Sequence, residues 1–312
     1  MSSRQPSLIT SPLSTAEAEA WITVAYPLDL VGTLAPLAHG RHDPTIRFTA
    51  GGIWRAMRTF DGPASLYVAS SSNGVTVRAW GPGAAAALEM APGLIGLLDE
   101  PDRLVARDPI LRDLVRRNPG LRLPRSRRLF EALVPAILEQ KVTGVEARRS
   151  FRALIARHGE AAPGPAELRL QPSAQILAAL PYPAYHLVGL ERRRAEVIRS
   201  AARIALRLER AAGPEDAGRL LRAIAGIGPW TTAEVLRVAW GDPDAFSLGD
   251  YHLPNLIAWA LAGEPRADEA RMLELLEPYR GQRGRVQRLL EASSLRIPRF
   301  GPRMAARSIA RI

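Results

Sequence analysis

The chain has no cysteine and a single lysine, Lys141, and only 6% of its 312 residues are aromatic. Without cysteine there are no disulfides, zinc–thiolate sites, thiol nucleophiles or cysteine-held iron–sulfur clusters. One lysine leaves Schiff-base chemistry by a side-chain amine a single address. No stretch reaches the roughly 18 apolar residues that a spanning helix needs. The Ser/Thr/Pro-rich start has no apolar signal-peptide region. A soluble, cytoplasmic protein is the expectation.

Arginine dominates the positive charge: 42 Lys+Arg stand against 31 Asp+Glu, a net +11 with a pI near 11.0. Charge of this sign favours a polyanion, because neutralising phosphates drives nucleic-acid affinity. With 47% hydrophobic residues, the chain is long enough and apolar enough for about two domains.

Periodicity divides it. Residues 1–20 are polar and expected to be a flexible N-terminus. Over 21–105, alternation at Thr45-Ile46-Arg47-Phe48, Leu66-Tyr67-Val68 and 75–80 predicts strands. Asn73-Gly74 marks a hairpin between the last two. Helical patterns at 30–38 and 84–98 complete an antiparallel sheet with two helices. From 106 to 295 only helical spacing remains, with segments at 129–157, 173–180, 193–212, 216–225, 229–240, 251–262, 267–276 and 283–292. The fold class is therefore α+β, an N-terminal sheet domain followed by an all-α region and then a basic tail at 296–312.

The most informative stretch is Gly226-Ile227-Gly228-Pro229-Trp230-Thr231, flanked by two helices. Glycines allow close backbone approach, Pro229 suits a first helical turn, and free N–H groups at a helix start attract anions. Alone, this is a tight αα-hairpin without a ligand. Further on comes Ser247-Leu248-Gly249-Asp250-Tyr251-His252. Asp250 at the start of a helix is by itself an ordinary N-cap.

Together, Gly226–Thr231 and Gly249–His252 resemble the helix-hairpin-helix superfamily of DNA glycosylases, and most closely its AlkA-type 3-methyladenine glycosylases. Asn118-Pro119-Gly120-Leu121-Arg122-Leu123-Pro124 and Ala136-Ile137-Leu138-Glu139-Gln140 fit the same subgroup, whose N-terminal domain is TATA-binding-protein-like. The resemblance covers roughly residues 20 to 295. It implies a monofunctional glycosylase of base-excision repair, acting as a nucleoid-associated monomer on double-stranded DNA containing alkylated bases. Asp250 would be the catalytic carboxylate. Trp230, Tyr279 and Glu234 would line the base pocket. Gly226, Ile227, Gly228 and Thr231 would bind DNA, the two glycines through N–H bonds to a phosphate, while Lys141 would stand at the gap left by a flipped base and Gln140 would hydrogen-bond the orphaned partner base. Carbonyls of Arg222, Ile224 and Ile227 would match a structural monovalent-cation site, no cofactor being needed for the chemistry.

Trp230 occupies the place where glycosylase/lyases of this superfamily carry a nucleophilic lysine, so water is the expected nucleophile. Three departures bear on substrate range. Glu234 replaces a pocket aromatic, Gly249 replaces an acid, and Lys141 stands where an apolar wedge is usual. A non-catalytic damaged-DNA-binding paralogue, or a glycosylase for uracil or hypoxanthine, is the alternative.

Overall fold

Five antiparallel strands precede an array of helices in the computed structural model, which describes residues 17–293 together with Leu295 and Pro298. The strands are β1 (Ala18–Thr23), β2 (Ile46–Thr49), β3 (Gly52–Arg58), β4 (Pro63–Ser71) and β5 (Gly74–Trp80), in the order β1-β5-β4-β3-β2. Alternation decides which side each residue faces. Ala64, Leu66 and Val68 on β4 and Val75, Val77 and Ala79 on β5 are buried in one core with α1 (Leu30–Leu34) and α2 (Ala84–Leu94). The other face carries Trp54, Tyr67 and Trp80 in ring contact. Ala166, Leu168 and Leu170 pack with Ala56 and Trp54 on that side.

The α+β class and the sheet with its two helices stand as expected, with differences at the edges. β1 begins at Ala18, inside the segment expected to be flexible, and β3 has no counterpart among the expected strands. The hairpin lies where predicted, but Ser71 pairs with Gly74, so Ser72-Asn73 forms its loop rather than Asn73-Gly74. The tail at 296–312 lies outside the described residues, Pro298 excepted.

The helical region has two cores. One is built by α4 (Leu129–Leu138), α5 (Gly144–His158), α6 (Ala174–Ala179), α7 (Tyr182–His186), α8 (Arg192–Arg203), α9 (Ala205–Glu209), α10 (Pro214–Arg222) and α11 (Pro229–Ala239). The other joins α3 (Pro109–Arg117) to α12 (Leu253–Ala262), α13 (Glu269–Leu276) and α14 (Arg283–Ala292). The chain leaves the first core near Ala245 and enters the second at Phe246. The segment expected as one helix at 129–157 is two helices. Lys141 takes a left-handed φ of 54° at the break, and a Thr143/Glu146 capping box restarts the helix.

Candidate active site

The α10–α11 hairpin lies beside the seam between the two helical cores. Gly226 has φ +94°, and an added Cβ would lie 2.5 Å from Val197 Cγ2, so the chain itself requires glycine there. Gly228 differs: nothing lies within 4 Å of a Cβ built on it. Nothing within the chain therefore requires glycine there. Among the described residues, no acceptor faces the N–H of Gly226 or Gly228, and helix α11 begins immediately after. This is the geometry of an anion cradle.

Other predicted contacts turn inward. The Ile227 N–H donates to the Ile224 carbonyl at 3.0 Å, and its side chain is buried. Thr231 is buried, and its hydroxyl accepts from Gln140 Nε2 at 2.8 Å. Gln140 Nε2 also donates to the Gly226 carbonyl at 3.0 Å. Both amide hydrogens of Gln140 thus hold the α4–α5 turn to the hairpin, rather than waiting for an unpaired base. Lys141 is exposed at the tip of that turn.

Asp250 closes a turn that starts at Ser247, its N–H donating to the Ser247 carbonyl at 3.0 Å. Gly249, at φ +85°, supplies the left-handed third position that a type II turn demands. The carboxylate has three donors. Oδ1 accepts from the backbone N–H of His252 at 2.7 Å and Leu253 at 2.8 Å, and Oδ2 accepts from Trp230 Nε1 at 3.3 Å. The helix itself starts at Leu253, two residues later than predicted. The cap position belongs to His252, and Asp250, two residues earlier, takes the N–H groups that open α12, whose dipole favours a negative charge, while standing as a half-buried carboxylate against the indole edge of Trp230. Tyr251, 83% exposed beside it, is a residue that the sequence pattern does not single out.

Two expected pocket residues are placed differently. Tyr279 is 3% exposed and packs in the second helical core. Its hydroxyl donates to Asp108 Oδ2 and accepts from the N–H groups of Arg107 and Asp108. It straps the start of α3 and presents no open face to a base. Glu234 lies one turn beyond Trp230 on α11, and its carboxylate meets Arg237 at 3.0 Å and the Ser247 hydroxyl.

Glu234 also lines a cavity of about 120 Å³ between the sheet domain and helices α4 and α11, with His39, Arg55, Glu131 and Glu139. Neither Trp230 nor Asp250 lines it. Burial pushes the Glu139 carboxyl up to about 7, the Glu234 carboxylate adds to the rise, and Arg148 opposes it. A carboxyl raised in this way favours folding fully below its ordinary value of 4.5, and loses that contribution as pH climbs through about 7. Burial pushes His39 the other way, to about 4, with Asp43 opposing and Arg55 reinforcing. Its contribution is present above 6.5 and is lost as pH falls through about 4. Replacing Glu139 by glutamine is thus expected to stabilise the protein relative to wild type at about pH 8 more than at about pH 5, by about 2–3 kcal/mol. Urea unfolding of both proteins at the two pH values measures this. An equal difference at both would contradict it.

The sheet, the helical array and the glycine-cornered hairpin together give the fold of the helix-hairpin-helix DNA glycosylases. A solved structure, the 3-methyladenine DNA-glycosylase from Archaeoglobus fulgidus, superposes with a TM-score of 0.73 over 87% of this chain and 97% of that one, at 20% identity. Over about half of its length the chain is also similar in sequence to AlkA-type enzymes. It is 32% identical over 167 residues to the "Probable bifunctional transcriptional activator/DNA repair enzyme AlkA" of Mycobacterium tuberculosis, covering 51% of this chain and 34% of that one. It is 31% identical over 166 residues to DNA-3-methyladenine glycosylase 2 of Escherichia coli K12, covering 52% and 57%. The chain thus spans between about a third and just over half of the length of these curated relatives. No protein-family model matches it.

Proposed function

We propose that the chain is a monofunctional DNA N-glycosylase that hydrolyses the N-glycosidic bond of flipped-out alkylated purines in double-stranded DNA. The observation that carries this reading is the Asp250 carboxylate, held by three donors against Trp230 and beside a hairpin with two free N–H groups. Reaching C1′ requires the nucleotide to leave the stack. As the base departs with the bonding electrons, positive charge develops on the sugar. A fixed carboxylate stabilises that charge, orients the water whose oxygen bonds to C1′, and accepts the proton that water sheds. N-alkylation makes the leaving base cationic, and the face of Trp230 suits such a base by cation–π attraction.

The hairpin N–H groups of Gly226 and Gly228 would bind a phosphate next to the lesion. A monovalent cation would take the carbonyls of Arg222, Ile224 and Ile227, sharing the Ile224 oxygen with the Ile227 N–H already on it. Neutral carbonyls without a carboxylate suit a singly charged ion. Such a cation would stiffen the turn.

Trp230 at the hairpin, and Lys141 as the one side-chain amine, support hydrolysis over lyase chemistry. No helix among the described residues is long and apolar enough to cross a membrane. The reading is tested with duplexes carrying 3-methyladenine, 7-methylguanine, hypoxanthine or uracil, scoring freed base and borohydride-trapped adduct. Methylated purines are expected to leave at least about tenfold faster than the neutral bases, with no trapped adduct. Uracil as the best substrate, or a trapped covalent adduct, would contradict it.

A further inference from the structure

On α11, Trp230, Glu234 and Arg237 recur at helical spacing and share one face. Trp230 reaches Asp250 itself. The other two reach Ser247, the residue that opens the turn Asp250 closes. Arg237 Nη1 donates to Glu234 Oε1 at 3.0 Å and to Ser247 Oγ at 3.3 Å. Its Nη2 donates to Glu291 Oε2 on α14 at 2.5 Å. Gln287, also on α14, receives the Ser247 N–H on its Oε1 at 2.9 Å. Its Nε2 donates to Ser247 Oγ and to Glu291 Oε1, both at 2.7 Å. The Ser247 hydroxyl donates to Glu234. Ser247 is 3% exposed and Gln287 2%.

Ser247 is thus gripped at its N–H and its hydroxyl, while its carbonyl holds the N–H of Asp250. The web joins α11 of the first helical core to α14 of the second across the seam where Asp250 sits. In a network of this kind one lost member loosens the rest, and small displacements of a reacting group are costly to rate.

We propose that Arg237 and Ser247 are positioning residues that fix the Asp250 carboxylate against the developing sugar cation, with Glu234 serving this clamp rather than contacting the base. The inference rests on the reading of Asp250 as the catalytic carboxylate. Glu234 and Glu291 bracket the Arg237 guanidinium.

The test uses two duplexes that cannot react: one with a neutral tetrahydrofuran in place of the deoxyribose, and one with a cationic pyrrolidine. Wild type is expected to bind the cationic duplex at least about tenfold more tightly. Ser247→Ala and Arg237→Lys should each cut that preference by about fivefold, with affinity for the tetrahydrofuran duplex within about twofold of wild type. Base release should slow by a similar factor at unchanged KM. Arg237→Met should lose more of the preference than Arg237→Lys, since the lysine keeps one charged donor. A merely structural role would lower thermal stability and both affinities together, leaving their ratio intact. A full wild-type preference in folded Ser247→Ala overturns the clamp. No preference in wild type, joined to no base release from any lesion, overturns the reading of Asp250 and the clamp with it.

Discussion

Asp250→Asn is expected to lower base release by about 10²- to 10³-fold, the loss seen when a group that stabilises transition-state charge is removed. The variant separates two roles that share one side chain. Asparagine keeps an oxygen for the N–H groups of His252 and Leu253 and accepts from helix-opening N–H groups as well as aspartate does, so α12 stays in place. The charge facing the sugar is gone. In that orientation the introduced amide nitrogen would face Trp230 Nε1–H, turning a hydrogen bond into two opposed donors, at a cost of about 1 kcal/mol. Trp230→Phe controls for this contact, because it removes the indole donor and keeps an aromatic face. Its release rate should fall by less than about tenfold. Single-turnover release from a methylated duplex, with thermal melting of each variant, decides the matter. A folded Asp250→Asn protein that releases base at the wild-type rate would end the catalytic assignment.

Asp99→Ala is expected to destabilise the protein by about 3–5 kcal/mol. Asp99, in the segment after α2, pairs with Arg285 of α14 at 2.9 Å, their side chains only 4% and 6% exposed. Asp99 also accepts from the Leu123 N–H at 3.0 Å, and Arg285 Nε donates to Gln282. Removing the carboxylate leaves a guanidinium buried with part of its donors unmatched. The cost therefore comes mostly from the stranded charge, and removing both partners should restore part of it. Asp99→Leu combined with Arg285→Met is expected to be more stable than either single variant, read from urea midpoints at constant slope. A double variant as unstable as the sum of the singles would show no coupling between the two residues and would contradict the stranded-charge account.

The parts of the site that were legible in the sequence are those encoded by neighbours along the chain. Gly226-Ile227-Gly228-Pro229 marks a hairpin because its backbone demands are local, whereas Asp250 by itself reads as a helix cap and only the resemblance singles it out. The Ser247–Asp250 turn was likewise within reach, since Gly249 signals a left-handed third position. The Thr143/Glu146 capping box is equally local, and it is the reason that the helix expected across Lys141 is broken there. Helix α7 has five residues, too few to show a period, whereas α3 repeats Ile110, Leu111, Leu114 and Val115 at helical spacing and was within reach of the sequence.

What could not be read depends on contacts between distant segments. Tyr279 occupies a position expected to line the pocket, yet its hydroxyl bonds residues near 108 and its ring fills a core. Glu234 looked like a pocket group until α14 brought Gln287 and Glu291 alongside Arg237 and Ser247. Gln140 is held by the hairpin that its helix packs against. In each case the sequence names a group able to bond, and only the fold names its partner.

The most direct measurement is to incubate the wild-type chain with a duplex containing 3-methyladenine, quantifying freed base and the integrity of the strand before and after alkali. Free 3-methyladenine, with a strand that breaks only on alkali, is the expected result. No freed base, or a strand already cut before alkali, would contradict it.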